Sequence, residues 1–531
     1  MASEKRYNNV LDIIDKRLIP NEAAKKARGE VFTPLKLVRE MLFGLRKSAL
    51  AAGRTEVWGV DATGRCVDDD GADRVGGIPL EVWRDHTKKW LDPANGIGNF
   101  PVVTFYMLDY QLGEHGPVEL RGDSNKGRRR KHIVENMLYM IEINKGNVNT
   151  SRKIFEQMVP GATANICCAD TLSMTDAKLM EVFGVNRFDV VMGNPPFNEG
   201  GTKTSGQKAF YKKFMIRGFE ILSPNGFLVF IHPPNYHRID KDEPSKGIIV
   251  KQLFNEYNLL FLRIIADTKT HFDVQIAIDY YILQKKANTK EAIILDKHNI
   301  LTSGIDISIF ETVPNFGFGI IKKLENMQET YGKFNAHVGR DSSHDQRRII
   351  KGEYKIIHYI NDDGMRVFLS NKEHSHQNTP KVIINGLGVP YVLDDSEGKY
   401  GVSEGPFYVL APSKKEKIFL LSKLFQYLNW AYRIQGNKND MFLFDIMPDL
   451  NEFEFDSIET MFVALGLNKT DIKEIDKIKV PIFVHKEKIE VAGEGKAPRA
   501  KTEKKKTITT SKGGARRSKY GRTRKNRKTS H

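Results

Sequence analysis

The sequence predicts an α/β fold built on a mostly parallel, doubly wound (Rossmann-like) sheet, and two patterns predict it. From Thr87 to about Gln284, short apolar runs alternate with amphipathic stretches, the signature of successive βαβ units. Glycines and acids fall where several of those runs end, which is where open α/β sheets hold their ligands.

The apolar runs read as strands over 88–91, 138–143, 164–169, 188–192 and 227–231, with helical patterns over 100–111, 148–158 and 208–222 between them. Two further runs, 260–266 and 275–283, are separated by too little chain for a helical crossover. They read as an antiparallel pair at the sheet edge. Residues 1–29 form a leader, and 51–85, rich in Gly, Asp and Arg, reads as an inserted loop or small hairpin within the domain 30–285. Beyond Lys286 the βαβ rhythm stops, and 286–485 is expected to be a separate α+β domain.

With 531 residues, 40% hydrophobic and 28% charged, the chain can bury sizeable cores. No apolar run approaches the roughly 20 residues needed to cross a bilayer, and no secretory signal opens the chain. The three cysteines, Cys66, Cys167 and Cys168, lack CxxC spacing, which supports neither a disulfide framework nor a zinc site. A reducing compartment such as cytoplasm is expected. Cys167 and Cys168 fall inside the 164–169 strand and are expected in the core.

The net charge of +16 is concentrated at one end, since fifteen Lys or Arg stand against one acid, Glu503, from Lys496 to His531. The body is therefore close to neutral, and its Lys381 and Arg433 read as solvated residues. The segment 486–531 is too polar to fold alone and is expected to be disordered. Three readings of it stay open: a solubility tail, a sequence-independent phosphate binder, and a nuclear-import signal in a eukaryotic host.

Four motifs carry chemistry. Asp92-Pro93-Ala94-Asn95-Gly96-Ile97-Gly98-Asn99-Phe100 follows the first strand and opens a helix, with Pro101 in its first turn. Its glycines let backbone approach a ligand closely. The second strand ends in Glu142, an acid that can accept both ribose hydroxyls of a nucleoside. The third ends at Asp170, suited to accept from an adenine amine. Each acid alone could be an ordinary solvated strand end; three in order make coincidence a poor explanation.

The fourth motif, Asn194-Pro195-Pro196-Phe197, follows the strand Phe-Asp-Val-Val-Met-Gly. An aromatic exocyclic amine is a poor nucleophile because its lone pair is delocalised into the ring. An Asn side-chain oxygen and a backbone carbonyl can accept its two N–H bonds, favouring a pyramidal nitrogen. Pro195 lacks an N–H and fixes the chain so that its carbonyl can point inward. Phe197 offers a face for an extruded base, and such stacking is worth roughly 1–3 kcal/mol, comparable with the few kcal/mol needed to extrude it.

In this order the motifs resemble the gamma class of amino-methyltransferases, adenine-specific DNA methyltransferases of restriction–modification type. Gly29-Glu30-Val31-Phe32-Thr33-Pro34 resembles the N-terminal cofactor motif of that class. The strand around Leu222–His232 resembles the one after the catalytic motif, and the segment around 271–283 the one that supplies a second stacking aromatic, here Phe272. The resemblance covers roughly 28–285 and, less closely, the later region as a DNA target-recognition domain. It implies S-adenosylmethionine as cofactor. Phe32, Thr33 and Pro34, with Asp92, Pro93, Ala94, Gly96, Gly98 and Phe100, would hold its methionine part, Glu142 its ribose and Asp170 its adenine. Asn194 and Pro195 would grip the target amine, with Pro196 and Phe197 completing the motif. Asn95 stands where the class usually carries a smaller residue, which puts the cofactor affinity in question.

The function so implied is methyl transfer to the N6 amine of a flipped adenine in a specific DNA sequence, by in-line transfer without metal or covalent intermediate. RNA is the alternative substrate, because related motifs serve RNA base methyltransferases, as they do enzymes that methylate release-factor glutamine. A non-catalytic DNA-binding protein retaining the fold is the alternative of another class. The expected partners are double-stranded DNA, through 286–485 and the basic tail, and a separate restriction nuclease, whose existence the sequence does not decide.

Overall fold

The computed structural model describes residues 33–61, 65–67, 70–197, 210–234, 237, 248–265, 277–310, 312–340, 352–361, 364–433, 439, 441–478 and 487–490. Nine strands form its main sheet. Seven fall on the seven apolar runs: β1 (Trp90–Asp92), β2 (Leu138–Glu142), β3 (Asn165–Cys168), β4 (Phe188–Gly193), β5 (Leu222–His232), β6 (Tyr257–Ile265) and β7 (Ile278–Ala287). β8 (Ala292–Leu295) and β9 (Leu301–Ile305) extend it.

The strand order is β9-β8-β6-β7-β5-β4-β1-β2-β3. β1 to β5 run parallel, and β7 lies antiparallel between β5 and β6. The expected architecture, a doubly wound sheet closed by an antiparallel strand, is present. The antiparallel pair is not the edge, however: β8 pairs with β6 and β9 with β8. From β1 the chain winds outward to β3, then returns and winds the other way through β4 and β5. The reversal opens a crevice at the carboxyl ends of β1 and β4, where such sheets bind ligands.

Side chains alternate across the sheet with the two-residue period of a strand. Leu138 and Met140, with Val190 and Met192, face one core; Tyr139, Ile141 and Val191 face the other. Helices α1 (Leu35–Phe43), α2 (Asn99–His115) and α3 (Lys145–Met158) pack on the first face. On the second lie α4 (Asp176–Phe183), α5 (Tyr211–Glu220) and α6 (Ile248–Glu256).

α2 is buried on nearly every side, which requires a second layer outside it. The segment 51–85 supplies much of that layer. Trp58, Val75, Ile78, Val82 and Trp83 are all buried in the same core as α1 and α2. Arg74–Val75 pairs with Leu45–Arg46, and Leu80–Arg84 forms a short helix. The expected inserted loop is thus a structural cover.

Beyond the main sheet come α7 (Phe318–Tyr331), β10 (Val338–Gly339), β11 (Tyr354–Asn361), β12 (Gly364–Ser370), β13 (Lys381–Ile384), β14 (Val392–Asp395), β15 (Tyr400–Val402) and β16 (Phe407–Leu410). Helices α8 (Lys414–Leu420), α9 (Lys423–Ala431), α10 (Ile458–Ala464) and α11 (Lys469–Asp476) follow, then β17 (Glu487–Glu490). They build two four-stranded sheets, β10-β16-β13-β14 and β15-β11-β12-β17, with a small core of their own that includes Ile357, Val367, Ile383 and Tyr408.

Several expectations need correction. The boundary at 285 falls inside β7, and the sheet continues to Ile305. Residues 487–490, expected in the tail, form β17 and pair parallel with β12; the rest of 486–531 lies outside the described residues. Lys381 is not solvated: it is 0 % exposed, and its ammonium lies 3.0 Å from Asp395 and donates to the carbonyls of His376 and Thr379. Arg433 is half-buried over the Trp430 ring, 4.7 Å from its centroid. Cys167 packs against the core, but Cys168 is exposed, because β3 is the outermost strand and neighbouring residues point to opposite sides. No helix among the described residues is long and apolar enough to cross a membrane.

Candidate active site

A cavity of about 230 Å³ opens at the crevice, and its wall is assembled from the ends of β1 to β4. β1 ends in Asp92, 1 % exposed, whose Oδ1 accepts from the Ala94 amide at 3.0 Å. Burial pushes the Asp92 carboxyl well above the usual range, and the charge of Glu142 adds to that push. The loop after β1 turns tightly into α2. Gly98, at φ 102°, adopts a left-handed conformation that suits glycine, and its amide donates to the Asn95 carbonyl at 3.0 Å.

Glu142 ends β2 with both carboxylate oxygens held: the Gly96 amide donates to Oε2 at 2.7 Å and the Asn144 amide to Oε1 at 2.7 Å. Each oxygen has two lone pairs and can accept again. Asp170, just past β3, is exposed at the rim, and its Oδ1 accepts from the Leu172 amide at 3.0 Å. The Thr171 hydroxyl donates to the Pro93 carbonyl, tying the ends of β1 and β3 together.

Asn194, Pro195, Pro196 and Phe197 leave the end of β4 along the same cavity. Asn194 is half-buried and Pro195 buried. The Phe197 carbonyl accepts from the Phe210 amide at 3.0 Å, closing the turn onto α5. Phe210 and Phe214 join Phe197 on the wall, their own rings edge to face at 5.6 Å.

The structure therefore gathers Thr33, Asp92, Pro93, Ala94, Gly96, Phe100, Glu142, Asp170 and the whole Asn194–Phe197 turn around one space. Pro34 and Gly98 stand beside it, the first capping α1 and the second capping α2. Phe32 and Phe272 lie outside the described residues. Sequence reasoning missed Asn99, Ile143, Asn147, Ala169, Thr171, Phe210 and Phe214 on the wall. For the two phenylalanines a signal existed: aromatics four apart in the 208–222 helical pattern share a face. It also missed Gly193, where a Cβ would come within 2.8 Å of Asp92 Oδ1.

Residues 125–270 match the family model of the Eco57I restriction-modification methylase. Among curated proteins no match is found. Of solved structures, the Type IIL restriction-modification enzyme MmeI in complex with DNA aligns at 12% identity over 86% of this chain and 76% of its own, with a TM-score of 0.47. A modification subunit of a putative type I restriction enzyme from Vibrio vulnificus aligns at 17% identity over 55% of this chain and 50% of its own, TM-score 0.34. A type I restriction-modification methyltransferase subunit from Streptococcus thermophilus gives 16%, 51%, 48% and 0.32 for the same measures. The chain spans about half the length of those last two, and likenesses of this degree carry no argument about activity. The family match spans Glu142, Asp170 and the Asn194–Phe197 turn, so that segment is similar to a restriction-modification methylase.

Proposed function

We propose that this chain transfers the methyl group of S-adenosylmethionine to the N6 amine of an adenine flipped out of duplex DNA. One observation carries the reading: the Asn194-Pro195-Pro196-Phe197 turn opens onto the cavity that Asp92, Glu142 and Asp170 also line. The family match over 125–270 supports a DNA methyltransferase in general terms.

The cavity's donor set fits the cofactor. Thr33 Oγ1 and Asn99 Oδ1 are buried on its wall without a hydrogen-bond partner among the described residues, a costly state unless a polar ligand meets them. The buried Asp92 carboxyl favours a cationic neighbour. Thr33, Asn99 and the loop from Asp92 would hold the methionine part, Glu142 the ribose hydroxyls, and Asp170 the adenine amine. When bound, the cofactor supplies a methyl group on a sulfonium.

The chain's own work is alignment. Asn194 Oδ1 and the Pro195 carbonyl accept the two N–H bonds of the target amine and hold its nitrogen pyramidal. Phe197 stacks on the extruded base, with roughly 1–3 kcal/mol to set against extrusion. Placed acceptors and a fixed in-line approach provide the acceleration. The region that follows the main sheet, from residue 306 to β17, serves as the DNA target-recognition region and the basic tail as a non-specific phosphate contact, with a separate restriction nuclease as a compatible partner.

The test is transfer from labelled cofactor to unmethylated duplex DNA, RNA and a protein extract, with Asn194→Ala alongside. N6-methyladenine in DNA, reduced at least about a hundredfold in the variant, is the expected result. Label in RNA or protein instead would overturn the substrate, and wild-type protein that binds no cofactor would overturn the reading.

A further inference from the structure

Glu142 is held from two sides, and the two sides are tied to each other. Its Oε2 is fixed by the Gly96 amide in the loop after β1, its Oε1 by the Asn144 amide at the start of α3, each at 2.7 Å. Between that loop and α3 run two side-chain bonds: Asn95 Nδ2 donates to Ser151 Oγ at 2.8 Å, and Ser151 Oγ donates to the Gly96 carbonyl at 3.5 Å, which also accepts from Asn95 Nδ2 at 3.2 Å. Asn95 is 5 % exposed and Ser151 0 %. Asn95, Gly96, Glu142, Asn144 and Ser151 thus close a ring of hydrogen bonds and helix backbone around one carboxylate.

The ring has a direct consequence. A carboxylate that must accept two ribose hydroxyls needs its plane fixed before the ligand arrives, because ordering it on binding costs affinity. Gly96 alone cannot fix it, since a glycine loop has more conformational freedom than any other. The Asn95 carboxamide removes that freedom by anchoring the loop to a buried serine on a helix. The backbone bond from the Asn95 amide to the Ile141 carbonyl, 3.0 Å, is independent of the side chain. Loss of the carboxamide should therefore loosen the loop without unfolding the sheet.

We infer that Asn95 and Ser151 are positioning residues that preset the Glu142 carboxylate for the ribose of a nucleoside ligand. This rests on the reading that the cavity takes S-adenosylmethionine. The experiment compares binding of S-adenosylhomocysteine and its 2′,3′-dideoxy analogue to the full chain, by calorimetry. Wild-type protein prefers the ribose form at least about tenfold, the scale of hydrogen bonds to a charged group. In Asn95→Ala and in Ser151→Ala that preference falls severalfold, while the dideoxy analogue binds within about twofold of wild type. The double variant falls by less than the product of the two single effects, because both break the Asn95–Ser151 bond. Equal weakening of both ligands, or an unchanged preference in both variants, overturns the inference. Wild-type protein that binds neither ligand overturns the reading of the cavity itself.

Discussion

At Asp92 a carboxyl is 1 % exposed, with the Ala94 amide as donor and Glu142 close enough to oppose its charge. Burial first, and Glu142 second, raise its folded pKa above the ordinary 3.8. The folded state therefore keeps a proton that the unfolded chain releases, and stability falls as pH climbs from about 3.8 toward the raised value. The loss in that window is up to about 1.4 kcal/mol per pH unit. Asp92→Asn has no proton to lose and keeps an acceptor for Ala94. Its melting temperature in the absence of ligand should exceed that of wild type by a margin that widens with pH through that window. A pH-independent margin would remove burial of the charge as the cause. The same variant should bind S-adenosylhomocysteine more weakly, separating stability from affinity. Gly193 makes the complementary point. A Cβ there would meet Asp92 Oδ1 at 2.8 Å, so Gly193→Ala should displace the carboxylate and cost at least about tenfold in cofactor affinity, read by calorimetry. An affinity equal to wild type would mean that Asp92 moves freely.

Among elements, the strands were legible because strands buried on both faces read as unbroken apolar runs, and all seven runs, the antiparallel β7 included, became strands. Asp92, Glu142, Asp170 and Asn194 were legible for a related reason, since strand ends are recognisable and the fold brings them together. What a single sequence hides is partnership across distance. Lys381 reads as a surface lysine until Asp395 is seen opposite it, and Cys168 as core until β3 proves to be the outermost strand. The segment 51–85 hid its role in the same way, its polar residues masking tryptophans that cover α2. Arg74 holds this cover in place. Its Nε donates to the Phe43 carbonyl at 2.7 Å, it also donates to Ile78, and its guanidinium lies 5.0 Å from the Trp58 ring centroid. Burial lowers its pKa to about 10, against the opposing charge of Glu81. Arg74→Met should remove the donor to the Phe43 carbonyl, while Ile78 keeps the Trp83 Nε1 bond at 3.0 Å, and lower stability by about 1–3 kcal/mol in urea denaturation. Cofactor affinity should stay within about twofold, because no described residue of 51–85 lines the cavity. A stability change below about 0.5 kcal/mol would reduce Arg74 to a surface residue of little consequence.

Across the whole molecule, charge and packing divide the chain differently. Packing unites it: the core under α4 and α5 runs without a break through Phe316 and Phe425 to Leu443 and Ile475. A cut at 285 would therefore split both a strand and a core. Charge separates it, because nearly all of the +16 lies beyond Lys496. β17 pairs with β12 just before that segment, so the basic stretch begins at the edge strand of the sheet β15-β11-β12-β17. Removal of 491–531 leaves β17 and every described residue of the cavity in the chain. If the segment neutralises duplex phosphates, each phosphate left without its cation should reduce the slope of log affinity against log salt by about 0.9. The shortened chain should bind non-cognate DNA more weakly at about 50 mM salt, with a visibly flatter salt dependence, as measured by fluorescence anisotropy. Its rate of methyl transfer at saturating DNA should match that of the full chain, since phosphate interactions of this kind hold ground state and transition state equally. A salt slope unchanged by the truncation would assign DNA attraction to the nearly neutral body, and leave the tail as a solubility device.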